Sequence, residues 1–141
     1  MNKEKSRYLK REDGTIYDSL SSLTWIANDS FLDLEKEVSW DEADKYAKKM
    51  NKKEFAGHKD WQMPSLHEAL SLYDKDKLNK DSTGGDIHID SIFPPGAANC
   101  TWTTDVRGGE AQILFYVNGC AYWYEKNDKT ISHGVRLVRR D

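Results

Sequence analysis

The sequence contains no stretch approaching the ~18 consecutive apolar residues of a membrane-spanning helix, so no helical membrane span is expected within it. Cysteine is scarce: Cys100 and Cys120 are the only two, too few for a disulfide-stapled scaffold. No excess of positive charge is present either. With 21 Lys and Arg against 24 Asp and Glu, the formal net charge is −3, which offers none of the basic surface that nucleic-acid binding requires. Residues 1–13 are polar and mixed in charge and lack the apolar core of a signal peptide. As written, the chain therefore reads as cytoplasmic, or as exported or displayed at the cell surface if a leader has been removed. No Ser-His-Asp order, phosphate-cradling loop or carboxylate pair stands out, so a noncatalytic protein is expected.

What the chain has in quantity is aromatic residues. Five Trp, seven Tyr and four Phe occur in 141 residues, enough chain for one domain that buries roughly 68% of its unfolded surface. Residues 1–12 read as a flexible N-terminal segment and 13–141 as the domain. Asp13-Gly14 is a turn dipeptide, and Thr15 to Asp18 after it reads as a strand. Leu23-Thr24-Trp25-Ile26 reads as a second strand, and Asn28 to Val38 as a loop.

Two helices announce themselves by their caps. In Ser39-Trp40-Asp41-Glu42 the serine hydroxyl can accept the Glu42 amide while the Glu42 carboxylate reaches back to the Ser39 amide. Trp40, Ala43, Tyr46, Ala47 and Met50 then recur at helical spacing, predicting a helix over 39–52. Ser65-Leu66-His67-Glu68 repeats the box and predicts a short helix over 65–73. Residues 74–90, polar and broken by Gly84-Gly85, read as a surface loop mobile at its tip.

The last third reads as strand. Ile113 to Val117 and Cys120 to Tyr124 flank Asn118-Gly119, a strong signal for a two-residue hairpin turn. That turn would set Val117 opposite Cys120, Phe115 opposite Tyr122 and Ile113 opposite Tyr124. Both faces of this hairpin are aromatic or apolar, so one is expected to be covered and the other to form a binding surface or a second core. Val135 to Val138 supplies a final strand.

In order, Asp13–Asp18, Leu23–Trp25, Ser39–Ala43, Asp60–Leu70, Trp102–Thr104 and Gly134–Arg139 resemble the Lcl C-terminal domain family, also designated DUF1566. The resemblance spans roughly residues 13–140. It departs at Ser22, where the family has Gly, at Gln62-Met63, where it has Arg-Leu, and at Leu137, where it has Cys. The resemblance implies an α+β, C-type-lectin-like single domain, with two helices flanking a small antiparallel β-meander and the chain ends brought together. It also implies a bacterial surface or exported protein. Relatives of that fold include carbohydrate-binding lectins and the copper-dependent formylglycine-generating oxidases, and fold alone does not choose among them.

Trp25, Trp40 and Trp61 read as core, and Asp60 and Arg136 as structural polar groups that tie the ends of the domain together. Trp102, Thr103, Thr104, Asp105 and Arg107, widened by Tyr116, Tyr122 and Trp123, form the candidate ligand surface for a glycan or protein, because an aromatic face beside hydroxyls and charges suits such ligands. No cofactor is expected. Asp74, Asp76 and Asn79 have a loosely calcium-like spacing but lack the glycine and bidentate glutamate of a calcium loop. His58, His67, His88 and His133 lack zinc-ligand spacing. Cys100 and Cys120 could pair as a disulfide or hold copper in the manner of the oxidases, or Cys120 could simply be a packed thiol. The oxidase reading and a purely structural domain are the alternatives to ligand binding.

Overall fold

The computed structural model describes residues 6–129 and 132–140. Residues 1–5, 130, 131 and 141 lie outside the described residues, and with them the first part of the segment expected to be flexible. Residues further along that segment enter a sheet. Strand β1 (Tyr8–Lys10) pairs antiparallel with β2 (Thr15–Asp18), which pairs with β3 (Leu23–Ile26). The sheet is completed by β9 (Val138–Arg140), so both ends of the described chain meet in one antiparallel sheet of order β1-β2-β3-β9.

The expected loop 28–38 contains a helical turn, α1 (Ser30–Leu34). Asp29 caps it, its Oδ1 accepting the Leu32 amide at 2.9 Å. Helix α2 (Trp40–Lys52) begins at the predicted capping box, whose two reciprocal bonds measure 3.0 and 3.2 Å. Its Ala43, Tyr46, Ala47 and Met50 are buried and its lysines face outward, as helical spacing requires. Helix α3 (Leu66–Leu70) begins at the second box and is shorter than expected, because bonds from Ser71, Leu72 and Tyr73 tighten its last turn.

Residues 74–90 are more ordered than a plain loop. Strands β4 (Asn79–Lys80) and β5 (Asp86–Ile87) form a small ribbon. Its turn is pinned by the buried Asp81, whose Oδ1 accepts from the Thr83 amide, the Thr83 hydroxyl and the Gly85 amide.

A third antiparallel sheet contains β6 (Cys100–Arg107), β7 (Glu110–Phe115) and β8 (Ala121–Glu125) in that order. The β7–β8 register differs from the expectation by two residues: Ile113 faces Tyr122, and Leu114 faces Ala121. The reason lies in the turn. Tyr116 leaves the ladder, its amide donating to the Asn99 carbonyl and its hydroxyl to the Ala69 carbonyl, which lengthens the loop to Tyr116–Gly119. Gly119, at φ 73°, then donates to the Phe115 carbonyl. A slip of two keeps every side chain on its face.

Of the strand expected over Val135–Val138, only Val138 enters a sheet, in β9; residues 133–137 lie between the two larger sheets rather than inside one. The Gly134 carbonyl accepts from Trp102, the Val135 carbonyl from Ser30 and the Leu137 carbonyl from Ile26. Gly134 is required at this crossing, since a Cβ there would lie 2.7 Å from Ala98 Cβ. The three-stranded sheet separates two hydrophobic clusters. Trp102, Ala111 and Ile113 pack with α2 and Trp61 on one side, and Leu114 packs with Trp25, Ala69 and Phe93 on the other. The fold is therefore α+β, with small antiparallel sheets and few helices.

Candidate functional site

Burial divides the expected ligand surface. Trp102 and Thr103 are fully enclosed and Tyr116 is 2% exposed, which takes all three away from any ligand. The Trp102 indole donates to the Val38 carbonyl at 2.8 Å, and the Thr103 hydroxyl to the Gln112 carbonyl at 2.8 Å. Asp105 accepts the Leu66 amide at 2.9 Å and so anchors the start of α3. Thr104 is exposed at the irregularity where the β6–β7 register shifts, and its amide donates to Pro64.

Strand alternation separates the remaining aromatics. Tyr122 and Trp123 are sequence neighbours and point to opposite faces of the sheet. Tyr122 leans on Phe115, ring centroids 5.8 Å apart. Trp123, opposite Gln112 across the ladder, carries the Arg107 guanidinium over its ring at 4.2 Å. Arg107 is also held by Glu110, Nε to Oε1 at 3.0 Å, and its side chain remains 60% exposed. Glu125 lies opposite Glu110 on the same face. The result is a preformed guanidinium–indole stack flanked by an amide and two carboxylates. Such a face can cover an apolar ring surface and offer directional donors and acceptors beside it.

Trp25 and Trp61 are buried, and the half-buried Trp40 donates its indole N–H to the Thr103 carbonyl at 2.9 Å. Arg136 is 3% exposed; it donates to the carbonyls of Ile26 and Ala27 and packs over Phe93 at 4.9 Å. Asp60 is tied not to Arg136 but to Arg139, in a two-pronged pair of 2.8 and 3.2 Å. The side chain at 136 points into the fold and cannot reach the surface carboxylate.

Cys100 is buried and Cys120 exposed, and both are free thiols. Cys100 sits opposite Phe115, whose amide donates to the Cys120 carbonyl on its other side. The two cysteines thus lie two strand spacings apart, roughly 9–10 Å, beyond disulfide reach. Burial pushes the Cys100 thiol up to about 12. The calcium-like spacing does not converge either: Asp74 accepts the Asp76 amide, and Asn79 donates to the carbonyls of Asp90 and Phe93. Among the described residues, no group of three or more His, Cys, Asp or Glu is arranged to hold a metal.

One feature gave no sequence signal. A cleft of about 390 Å³ opens where the β1–β2 turn, the end of β3, α2 and the 3-10 turn Phe55–Gly57 meet. Its lining is drawn from residues scattered between Lys10 and Pro94, so no local spacing could have disclosed it.

Residues 14–139 match the model of the Lcl C-terminal domain, and the chain belongs to that family. Searches of curated proteins and of solved structures gave no match. No helix among the described residues is long and apolar enough to cross a membrane.

Proposed function

We propose that this chain is a noncatalytic, C-type-lectin-like ligand-binding module of a bacterial surface or exported protein. In this reading it recognises a glycan through the face carrying Arg107 and Trp123. The supporting observation is the guanidinium held over the indole at 4.2 Å while Glu110 fixes its orientation. A stack already formed in the free protein loses little side-chain freedom on binding, which favours affinity. The carbon-rich face of a sugar ring suits the aromatic surface, and Gln112, Glu125 and the guanidinium edge suit its hydroxyls.

The test is a glycan and peptide array probed with the wild-type protein and with Trp123→Ala, Arg107→Ala and Tyr122→Ala. Loss of glycan binding by about tenfold or more in the first two, with Tyr122→Ala unaffected, is the expected pattern. Binding that persists in both Trp123→Ala and Arg107→Ala rejects the site. A signal confined to the peptide arm, and lost in those same two variants, replaces the glycan by a protein ligand.

A further inference from the structure

The cleft beside Phe55 is chemically organised in a way the Arg107–Trp123 face does not explain. Its floor is apolar, formed by Ile26, Ala27, Met50, Phe55 and Pro94. Three cations, Lys10, Arg11 and Lys53, line the same space. Two carboxylates also border it. Asp33 already accepts the Tyr46 hydroxyl at 2.7 Å, and Glu12 is exposed. Burial, reinforced by Asp33, pushes the Tyr46 phenol far up, so it remains a proton donor to that carboxylate. With Asp33 engaged by Tyr46, three cations stand against the single remaining carboxylate of Glu12 above an apolar floor, so the cleft favours an incoming negative charge.

The wall is held by packing and hydrogen bonds around unfavourable backbone. Phe55 is flanked by Glu54 at φ 51° and Ala56 at φ 55°, both left-handed conformations disfavoured for residues with a Cβ. The Phe55 ring packs on Trp61 with centroids 6.0 Å apart, and the Phe55 carbonyl accepts the Trp61 indole N–H at 2.9 Å. Asn51 in turn bonds the Trp61 backbone at both its amide and its carbonyl. Gly14 also lies against the ring, and a Cβ there would come within 3.1 Å of Phe55. Lys53 holds its ammonium over the Phe55 ring at 5.7 Å, and Arg11 sits over Tyr17 at 5.1 Å. Strain retained around one aromatic side chain, beside a cleft with placed cations, is the pattern expected where a surface is prepared for a ligand.

We infer that this cleft binds a small organic carboxylate with an aromatic or branched aliphatic body. The apolar body lies against Phe55, Met50 and Ile26, and the carboxylate meets Lys53 and Arg11. This site is separate from the Arg107–Trp123 face and does not depend on it.

The experiment titrates ¹⁵N-labelled protein with 3-phenylpropionate and, in parallel, with its neutral amide, 3-phenylpropionamide. Saturable shifts centred on the amides of Gly14, Ala27, Phe55 and Ala56 are expected with the acid, and about tenfold weaker binding with the amide. The exposed Lys53→Gln and the half-exposed Arg11→Gln should each weaken the acid about threefold or more, with resonances far from the cleft unchanged. Trp123→Ala should bind the acid as wild type does, which keeps this outcome independent of any glycan result. Equal affinity for acid and amide, unchanged affinity in both charge variants, or no saturable shift up to about 10 mM each overturns the inference.

Discussion

Arg7 grips Asp18 with two parallel hydrogen bonds, Nε to Oδ1 at 2.8 Å and Nη2 to Oδ2 at 2.7 Å, and the carboxylate is wholly enclosed. Ser21 and the Leu20 amide complete its partners. Burial by itself pushes this carboxyl up, but the Arg7 guanidinium, the Ser21 hydroxyl and the Leu20 amide together outweigh it and hold the carboxyl below its ordinary value. Because the folded carboxyl titrates below the unfolded one, its stabilisation is complete above about pH 4–5 and is lost as pH falls through the folded value. Arg7→Gln should cost about 1.5–3 kcal/mol in urea unfolding at pH 7. The gap from wild type should shrink near pH 3, and an equal gap at both pH values would contradict this account.

His133 predicts a second, separate pH response. It is enclosed between Trp102 and Tyr124, with ring centroids at 5.3 and 5.2 Å. Its Nδ1 meets the Asp128 carbonyl at 3.2 Å, and its Nε2 is buried with no partner among the described residues. Burial pushes its pKa down, against the opposing pull of Asp128. Protonation is therefore easier in the unfolded chain, so the stability His133 supports is present above about pH 6.5 and falls as pH drops below it. Urea midpoints at pH 7.5 and 5.5 should differ more for wild type than for His133→Gln.

Trp102 and Trp123 should separate cleanly in mutagenesis. Trp102→Ala empties the core and removes the donor to Val38, a loss of about 3–5 kcal/mol. Trp123→Ala removes a half-buried indole and its stack with Arg107 and should cost about 0.5–1 kcal/mol. Chemical denaturation of both variants measures the difference, and comparable losses would place Trp123 in the core.

Gly119 and Tyr73 should be coupled. A Cβ at 119 would lie 2.8 Å from the Tyr73 ring, at a backbone φ of 73°. Gly119→Ala should destabilise the fold by about 1–3 kcal/mol. Combining it with Tyr73→Ala relieves the clash while leaving the backbone strain, so a double-mutant cycle should show the two changes to be less than additive. Strict additivity would mean the hairpin turn moves away from the ring.

The thiols give a simple count. Exposed Cys120 should react with a disulfide reagent at pH 8, while Cys100, buried with its thiol pushed up to about 12, should not. One titratable thiol is expected in the native protein and two after denaturation. Two fast thiols in the native state would require the Cys100 region to open.

Much of this protein is local chemistry and could be read from the chain. The two Ser-x-x-Glu boxes close wherever a helix begins, because donor and acceptor sit three residues apart, and both helices start where the boxes stand. Alternation assigned the faces of β7 and β8 correctly even though the register slipped, since a shift of two preserves parity. The family, too, was legible, in the order of six short stretches along the chain.

Contacts between distant residues were decided only by the fold. Trp102 and Trp123 look alike as letters, yet one meets Val38 and the other meets solvent and Arg107, and no spacing rule records which face of a sheet another layer covers. Tyr116 lengthened the hairpin turn by bonding to Asn99 and Ala69, and Arg139 rather than Arg136 reached Asp60. The Phe55 cleft exists because the β1–β2 turn, β3, α2 and the 3-10 turn converge on it. Sequence alone determines what hydrogen bonds and alternation enforce within a few residues; burial and long-range pairing depend on where the layers close, and only the tertiary structure supplies that.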